Sequence, residues 1–120
     1  MVNDPLIDDA AIDRLRDWGG AKLVRQMVRL YLENVEVRLE QIETGLAEPD
    51  GIGQAEQGAH SLKSSAANVG ALRVRELAAE LEASAKGGDE ASASSLLESL
   101  RPALSEAESE LLIMVEEIVE

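Results

Sequence analysis

A single histidine, His60, stands in a chain of 120 residues, with Lys63 and Ser64 three and four positions further on. On an α-helix those offsets bring side chains together on one surface, so the pattern sets a cation and a small hydroxyl beside the imidazole. A free imidazole has an unperturbed pKa of about 6.5, so at neutral pH its unprotonated nitrogen is a nucleophile. Such a ring can accept and release a phosphoryl group if something nearby offsets the negative charge. In mid-helix the backbone N–H groups are already bonded and supply no anion site, which leaves Lys63 as the source of positive charge. Ser64, Ser65, Ala66 and Ala67 are all small and leave room for a second protein to bring its reacting group close. A lone helical histidine is ordinarily a solvated surface residue, but these neighbours favour chemistry.

The element that must carry this residue is legible. Ile52, Ala55, Ala59, Leu62, Ala66 and Val69 recur at spacings of 3, 4, 3, 4 and 3, one apolar stripe of an amphipathic helix. At about 100° per residue His60 points roughly 130° from the centre of that stripe, toward solvent. The helix is expected over 52–69, with Leu62 in the core and Gly70 stopping it in a left-handed turn. A further helix over 71–86 turns Val74, Leu77, Ala78, Leu81 and Ala85 inward and ends at Gly87-Gly88. Residues equally far from the turn lie level, so position 60 stands opposite roughly position 80. Glu82 and Lys86 can then reach the imidazole from the side, although a cation in a last helical turn is favoured anyway. Asn68 is expected to bond the neighbouring turn, a structural role.

The rest of the chain reads as further helices. Residues 1–7 are expected to form an irregular arm that sets Leu6 or Ile7 on the bundle. Asp8 or Asp9 can cap a short helix with Ile12, Leu15 and Trp18 as its apolar edge, ended by Gly19-Gly20. A long helix over 21–47 has the seam Val24, Val28, Tyr31, Val35, Leu39, Ile42 and Leu46, and a second row, Leu23, Met27, Leu30 and Val37, predicts contact with two neighbours. Arg25, Arg29, Glu33, Glu36 and Glu40 read as its solvated side. Glu48-Pro49-Asp50-Gly51 is a turn by composition. A last helix begins near Asp89 and carries the stripe Leu97, Leu100, Leu104, Ala107, Leu111, Met114 and Ile118. Pro102 lies inside that stripe and predicts a kink, not a division. The fold class is therefore all-α: one domain over 1–120, an antiparallel up-down four-helix bundle with a short extra N-terminal helix.

Composition narrows the chemistry. Eleven basic against 24 acidic residues give a net charge of −13, which repels nucleic-acid backbones. The absence of cysteine excludes disulfides and thiol nucleophiles, and with one histidine zinc sites are poorly supplied. There is no G-x-S-x-G nucleophile turn and no G-x-x-x-x-G-K-[ST] phosphate loop. A haem bundle would need His60 inside the stripe, where it does not point. No apolar run suits a membrane span and the N-terminus does not read as a signal peptide, so a cytoplasmic location is expected.

The run Ala59-His60-Ser61-Leu62-Lys63-Ser64-Ser65, followed by Gly70-Ala71, resembles the signature of the histidine-containing phosphotransfer (HPt) domain. There the pattern reads H-x-L-K-G-S/A-S/A, with a Gly-Ala or similar turn about ten residues after the histidine. Ser64 departs from it, standing where the family usually has glycine; it is still small. The resemblance implies a helical bundle and a multistep two-component phosphorelay. His60 would take a phosphoryl group, through Nε2, from the aspartate of one response-regulator receiver domain and pass it to another. The sequence itself does not choose the ring nitrogen. The receiver would bring the carboxylate and Mg²⁺, so this chain needs no cofactor and is a carrier, not an enzyme. The expected partners are receiver domains and a hybrid sensor histidine kinase, and the expected state is monomeric. Lys63 would stabilise charge, with Ser64, Ser65 and Lys86 in support, and Gln57, Ser61, Ala67 and Glu82 would form the docking face. The competing reading is an acidic helical adaptor that binds a receiver or kinase without carrying phosphate. The starting methionine and tidy ends favour a free-standing protein over a domain cut from a hybrid kinase.

Overall fold

The computed structural model describes residues 6–118. The expected arm falls mostly outside that range, but its last residues are placed. Ile7 is buried and forms an isolated antiparallel bridge with Ala71. The Asp8 N–H donates to the Gly70 carbonyl at 2.7 Å and the Leu72 N–H to the Leu6 carbonyl at 3.2 Å.

Four helices follow: α1 (Asp9–Ala47), α2 (Ile52–Val69), α3 (Leu72–Lys86) and α4 (Glu90–Glu117). Among the described residues there is no strand beyond that single bridge. Asp8 caps α1 by accepting from the Ala10 N–H. The short helix and the long one expected from the sequence are joined in one run, broken at Gly20, whose φ of 71° and ψ of −167° suit only glycine. Ile12 and Leu15 are buried as expected, but Trp18 is 74% exposed. The apolar row it shares with them leaves the core where the chain changes direction at the Gly19-Gly20 break.

Gly70 ends α2 in the left-handed conformation, its N–H directed at the Ala66 and Ala67 carbonyls. A Cβ there would lie 2.7 Å from the Asp8 carbonyl oxygen, so both the backbone angle and the packed arm demand glycine. Asp89 caps α4, accepting from the Ser92 N–H at 3.1 Å and from the Ser92 hydroxyl at 2.7 Å. Those two bonds hold its carboxyl below the usual aspartate range. The α4 helix runs through Pro102 without a break in helical geometry. Pro102 is exposed, so the carbonyl it leaves unbonded in the preceding turn faces water.

Each helix packs on the next, and α4 closes onto α1. Glu43 meets Arg101 at 2.7 Å and Arg25 donates to the Ile118 carbonyl at 3.1 Å, so α1 and α4 run in opposite directions. All four helices share one aliphatic core. In α1 the expected seam holds, fully or partly buried along its length. The second row is different: Leu23 and Met27 are half-buried, while Leu30 and Val37 are 50% and 58% exposed. α1 still contacts two neighbours, α2 and α4, and Leu23 and Met27 pack against the shared core.

Candidate functional site

Helix α2 buries Ala55, Ala59, Leu62, Ala66 and Val69 completely. This orients the opposite face, and the His60 side chain stands 62% exposed on it. The two-residue turn at Gly70-Ala71 sets the antiparallel register with α3 and brings Glu82 alongside. His60 Nδ1 lies 2.7 Å from Glu82 Oε2, and Lys63 Nζ lies 2.6 Å from Glu82 Oε1. One carboxylate thus bridges the imidazole and the ammonium. Its pKa is lowered chiefly by the hydrogen bond from Lys63, against a smaller upward push from partial burial, and further by the bond from His60.

That direction fixes a tautomer. An ionised carboxylate only accepts hydrogen bonds, so Nδ1 must carry the proton it shares with Glu82. In the neutral ring the lone pair then resides on Nε2, which makes no hydrogen bond among the described residues. Nε2 is thus the ring nitrogen left without a protein partner among the described residues.

The other residues singled out from the sequence are placed less uniformly. Lys63 is not a free cation: it is partly buried and paired to Glu82. The Ser64 hydroxyl donates back to the His60 carbonyl at 3.3 Å, as helical serines commonly do toward the preceding turn. Ser65 accepts from the Asn34 side-chain amide of α1. Neither hydroxyl reaches the imidazole. Lys86 is exposed at the end of α3, one turn beyond Glu82, with no bond to His60. Gln57 and Ala67 are exposed and Ser61 half-buried on the side of α2 that carries His60. Asn68 is exposed and does not bond the turn, because backbone bonds from Ala71 to Ala66 and from Asp8 to Gly70 already satisfy it.

Sequence reasoning missed the polar seam on the other side of α2. Asn34 bonds Ser65, Arg38 Nε donates to Asn34 Oδ1 at 3.1 Å, and Arg38 also donates to Gln41 Oε1 at 2.9 Å. The available signal was Asn34 itself, a polar residue interrupting the row from Met27 and Leu30 to Val37. Among the described residues no group of histidine and carboxylate side chains is arranged to hold a metal, and no helix is long and apolar enough to cross a membrane.

This arrangement, a helical bundle presenting one solvent-facing imidazole, defines a class. The Hpt domain family model matches residues 26–119, and the chain belongs to that family of histidine-containing phosphotransfer domains. Solved structures share the fold. Histidine-containing phosphotransfer protein B from Pseudomonas aeruginosa superposes with a TM-score of 0.88 at 21% identity, covering 98% of this chain and 100% of that one. The maize protein ZmHP2 gives 0.82 at 19% identity, with 92% and 83% covered. MtHPt2 from Medicago truncatula gives 0.79 at 21% identity, with 93% and 78% covered. No curated protein matches the sequence.

Proposed function

We propose that this protein is a phosphoryl carrier of a multistep phosphorelay, with His60 as the acceptor. The reading is supported above all by the exposed imidazole whose Nδ1 is held by Glu82, leaving Nε2 as the nucleophile. The Nε2 lone pair attacks the phosphorus of a receiver's aspartyl phosphate. The N–P bond forms as the P–O bond to the aspartate breaks, and the carboxylate leaves with its electron pair. The ring keeps its Nδ1 proton and becomes cationic, and the Glu82 carboxylate offsets that charge. Lys63, already within 2.6 Å of Glu82, has further N–H donors for a phosphoryl oxygen. The reverse sequence passes the group to a second receiver. Transfer of this kind depends on positioning and charge stabilisation, so the chain acts as a carrier and not an enzyme.

Receiver domains, charged by a hybrid sensor kinase, are the partners in this reading, and they bring Mg²⁺. Gln57, Ser61, Ser64 and Ala67 form the docking face, with Lys86 at its edge. The chain acts in the cytoplasm as one domain, an antiparallel up-down bundle in which the Asp9–Gly19 stretch is an N-terminal extension of α1. Every group around the imidazole comes from one copy, so a monomer suffices for the chemistry.

Incubation with a phosphorylated receiver should label this protein with acid-labile, base-stable phosphate, and His60→Gln should abolish the label. Label retained in that variant would remove the assignment, since no other histidine exists. Binding without any label would favour the adaptor instead.

A further inference from the structure

One face of α1 carries charge in an order that its own helix does not favour. Lys22, Arg25, Arg29, Glu33, Glu36 and Glu40 recur at spacings of 3, 4, 4, 3 and 4, a single row, and all six are exposed. Three cations precede three anions. A helix prefers carboxylates toward its N-terminus, and glutamate ahead of lysine at i,i+4 is better than the reverse. Arg25 with Arg29, and Glu36 with Glu40, are like charges at i,i+4, which repel. Among the described residues Lys22, Arg29, Glu33, Glu36 and Glu40 form no ion pair, whereas Arg25 is engaged with the Ile118 carbonyl. The row therefore gains little from its own helix.

The same order is self-complementary about a two-fold axis. An antiparallel second copy centred on residue 31 sets Lys22 against Glu40, Arg25 against Glu36 and Arg29 against Glu33, each pair occurring twice. Such a relation is what an isologous interface requires. The neighbouring helix supplies an apolar centre. The row continues to Glu43, which meets Arg101, and Arg25 reaches Ile118, so it lies beside α4. Those two contacts also set the register, placing Leu112 level with residues 31 and 32 at the centre of the row. Leu112 and Ile113 are 45% and 47% exposed. An apolar centre within a charged rim is the usual anatomy of a protein interface.

We propose that this face pairs two copies of the chain, antiparallel along α1, with Leu112 at the middle. His60 lies on α2, away from α4, so both imidazoles stay open. Exposed ion pairs contribute little individually and are screened by salt, so the dimer is weak. The net charge of −13 also makes copies repel at long range. Pairing is therefore strongest near about 0.1 M salt, where repulsion beyond about 10 Å is screened but contact pairs survive.

Sedimentation equilibrium of the full chain tests this. The association constant should fall about tenfold between roughly 0.1 M and 1 M salt as the Debye length shrinks to about 3 Å. Lys22→Glu/Arg29→Glu and Glu33→Lys/Glu40→Lys should each be monomeric alone and form a heterodimer when mixed, with circular dichroism verifying that both are folded. If either misfolds, Leu112→Asp should give the monomer instead. A wild-type chain that stays monomeric at every salt concentration overturns the proposal. So does a dimer that strengthens steadily with salt or ignores these substitutions.

Discussion

The two seams on either side of the bundle are filled differently. Between α2 and α3 the interior is dense and mostly small: Ala55, Ala59, Leu62, Ala66, Ala78 and Leu81 have no exposed surface. Between α1 and α4 a groove of about 260 Å³, half open to solvent, remains, lined by Tyr31 and Leu104 and rimmed by Arg101, Ser105 and Glu108. The Tyr31 hydroxyl is buried there without a hydrogen-bond partner in the protein. The α2–α3 seam holds His60 and Glu82, whose 2.7 Å contact depends on register. Phosphoryl transfer tolerates little misplacement, so tight packing is spent where position matters. The other seam holds none of the groups around the imidazole and is open along its outer edge.

Equivalent truncations should expose this contrast most strongly. Leu62→Ala, in the dense seam, is expected to cost about 4–5 kcal/mol, and Leu104→Ala, which deepens a groove that solvent already reaches, about 2–3 kcal/mol. Equal losses in chemical denaturation would mean that the seams do not differ in packing. Next comes Glu82→Ala, which removes the acceptor at Nδ1. For a hydrogen bond of about 1 kcal/mol, the histidine tautomer ratio should move roughly fivefold toward the Nε2–H form, read by ¹⁵N NMR at neutral pH. An unchanged ratio would show that Glu82 does not hold the ring. Because the Glu82 pKa is lowered, its contribution to stability is present above the ordinary carboxylate pKa and is lost as pH falls through the depressed value.

The smallest effect is expected in the open seam. Tyr31→Phe should change stability by no more than about 1 kcal/mol, and can raise it, because an unpartnered buried hydroxyl is removed. Burial, and then the negative charge of Glu108, push the Tyr31 phenol well above its usual pKa. The unfolded chain therefore releases this proton first. Wild-type stability should be full below about pH 10 and decline above it, and Tyr31→Phe should lack this decline. An early phenolate absorbance in the folded state, from the chain's one tyrosine, would contradict such burial.

Much of this was readable beforehand, and the reasons are local. The α2 stripe keeps strict 3–4 spacing, so its span and the outward direction of His60 follow from helical geometry alone. The level of Glu82 followed from the short turn at Gly70. Its double attachment did not, because side-chain torsions choose which oxygen meets which partner. The Asn34–Ser65 bond depends on how α1 and α2 rotate against each other, which neither helix encodes by itself. Trp18 looked like core because its spacing matches Leu15, but spacing says nothing once a glycine in an unusual conformation redirects the chain.

The strand-like bond between Ile7 and Ala71 has a consequence for biosynthesis. Its two halves are separated by more than half of these 120 residues, so the segment around Ile7, synthesised earlier, has nowhere to dock until α2 and its turn have followed. That closure joins residues distant in sequence, the slow kind of event in folding. The tether that braces the turn below the reactive helix is thus set only after that helix has been made.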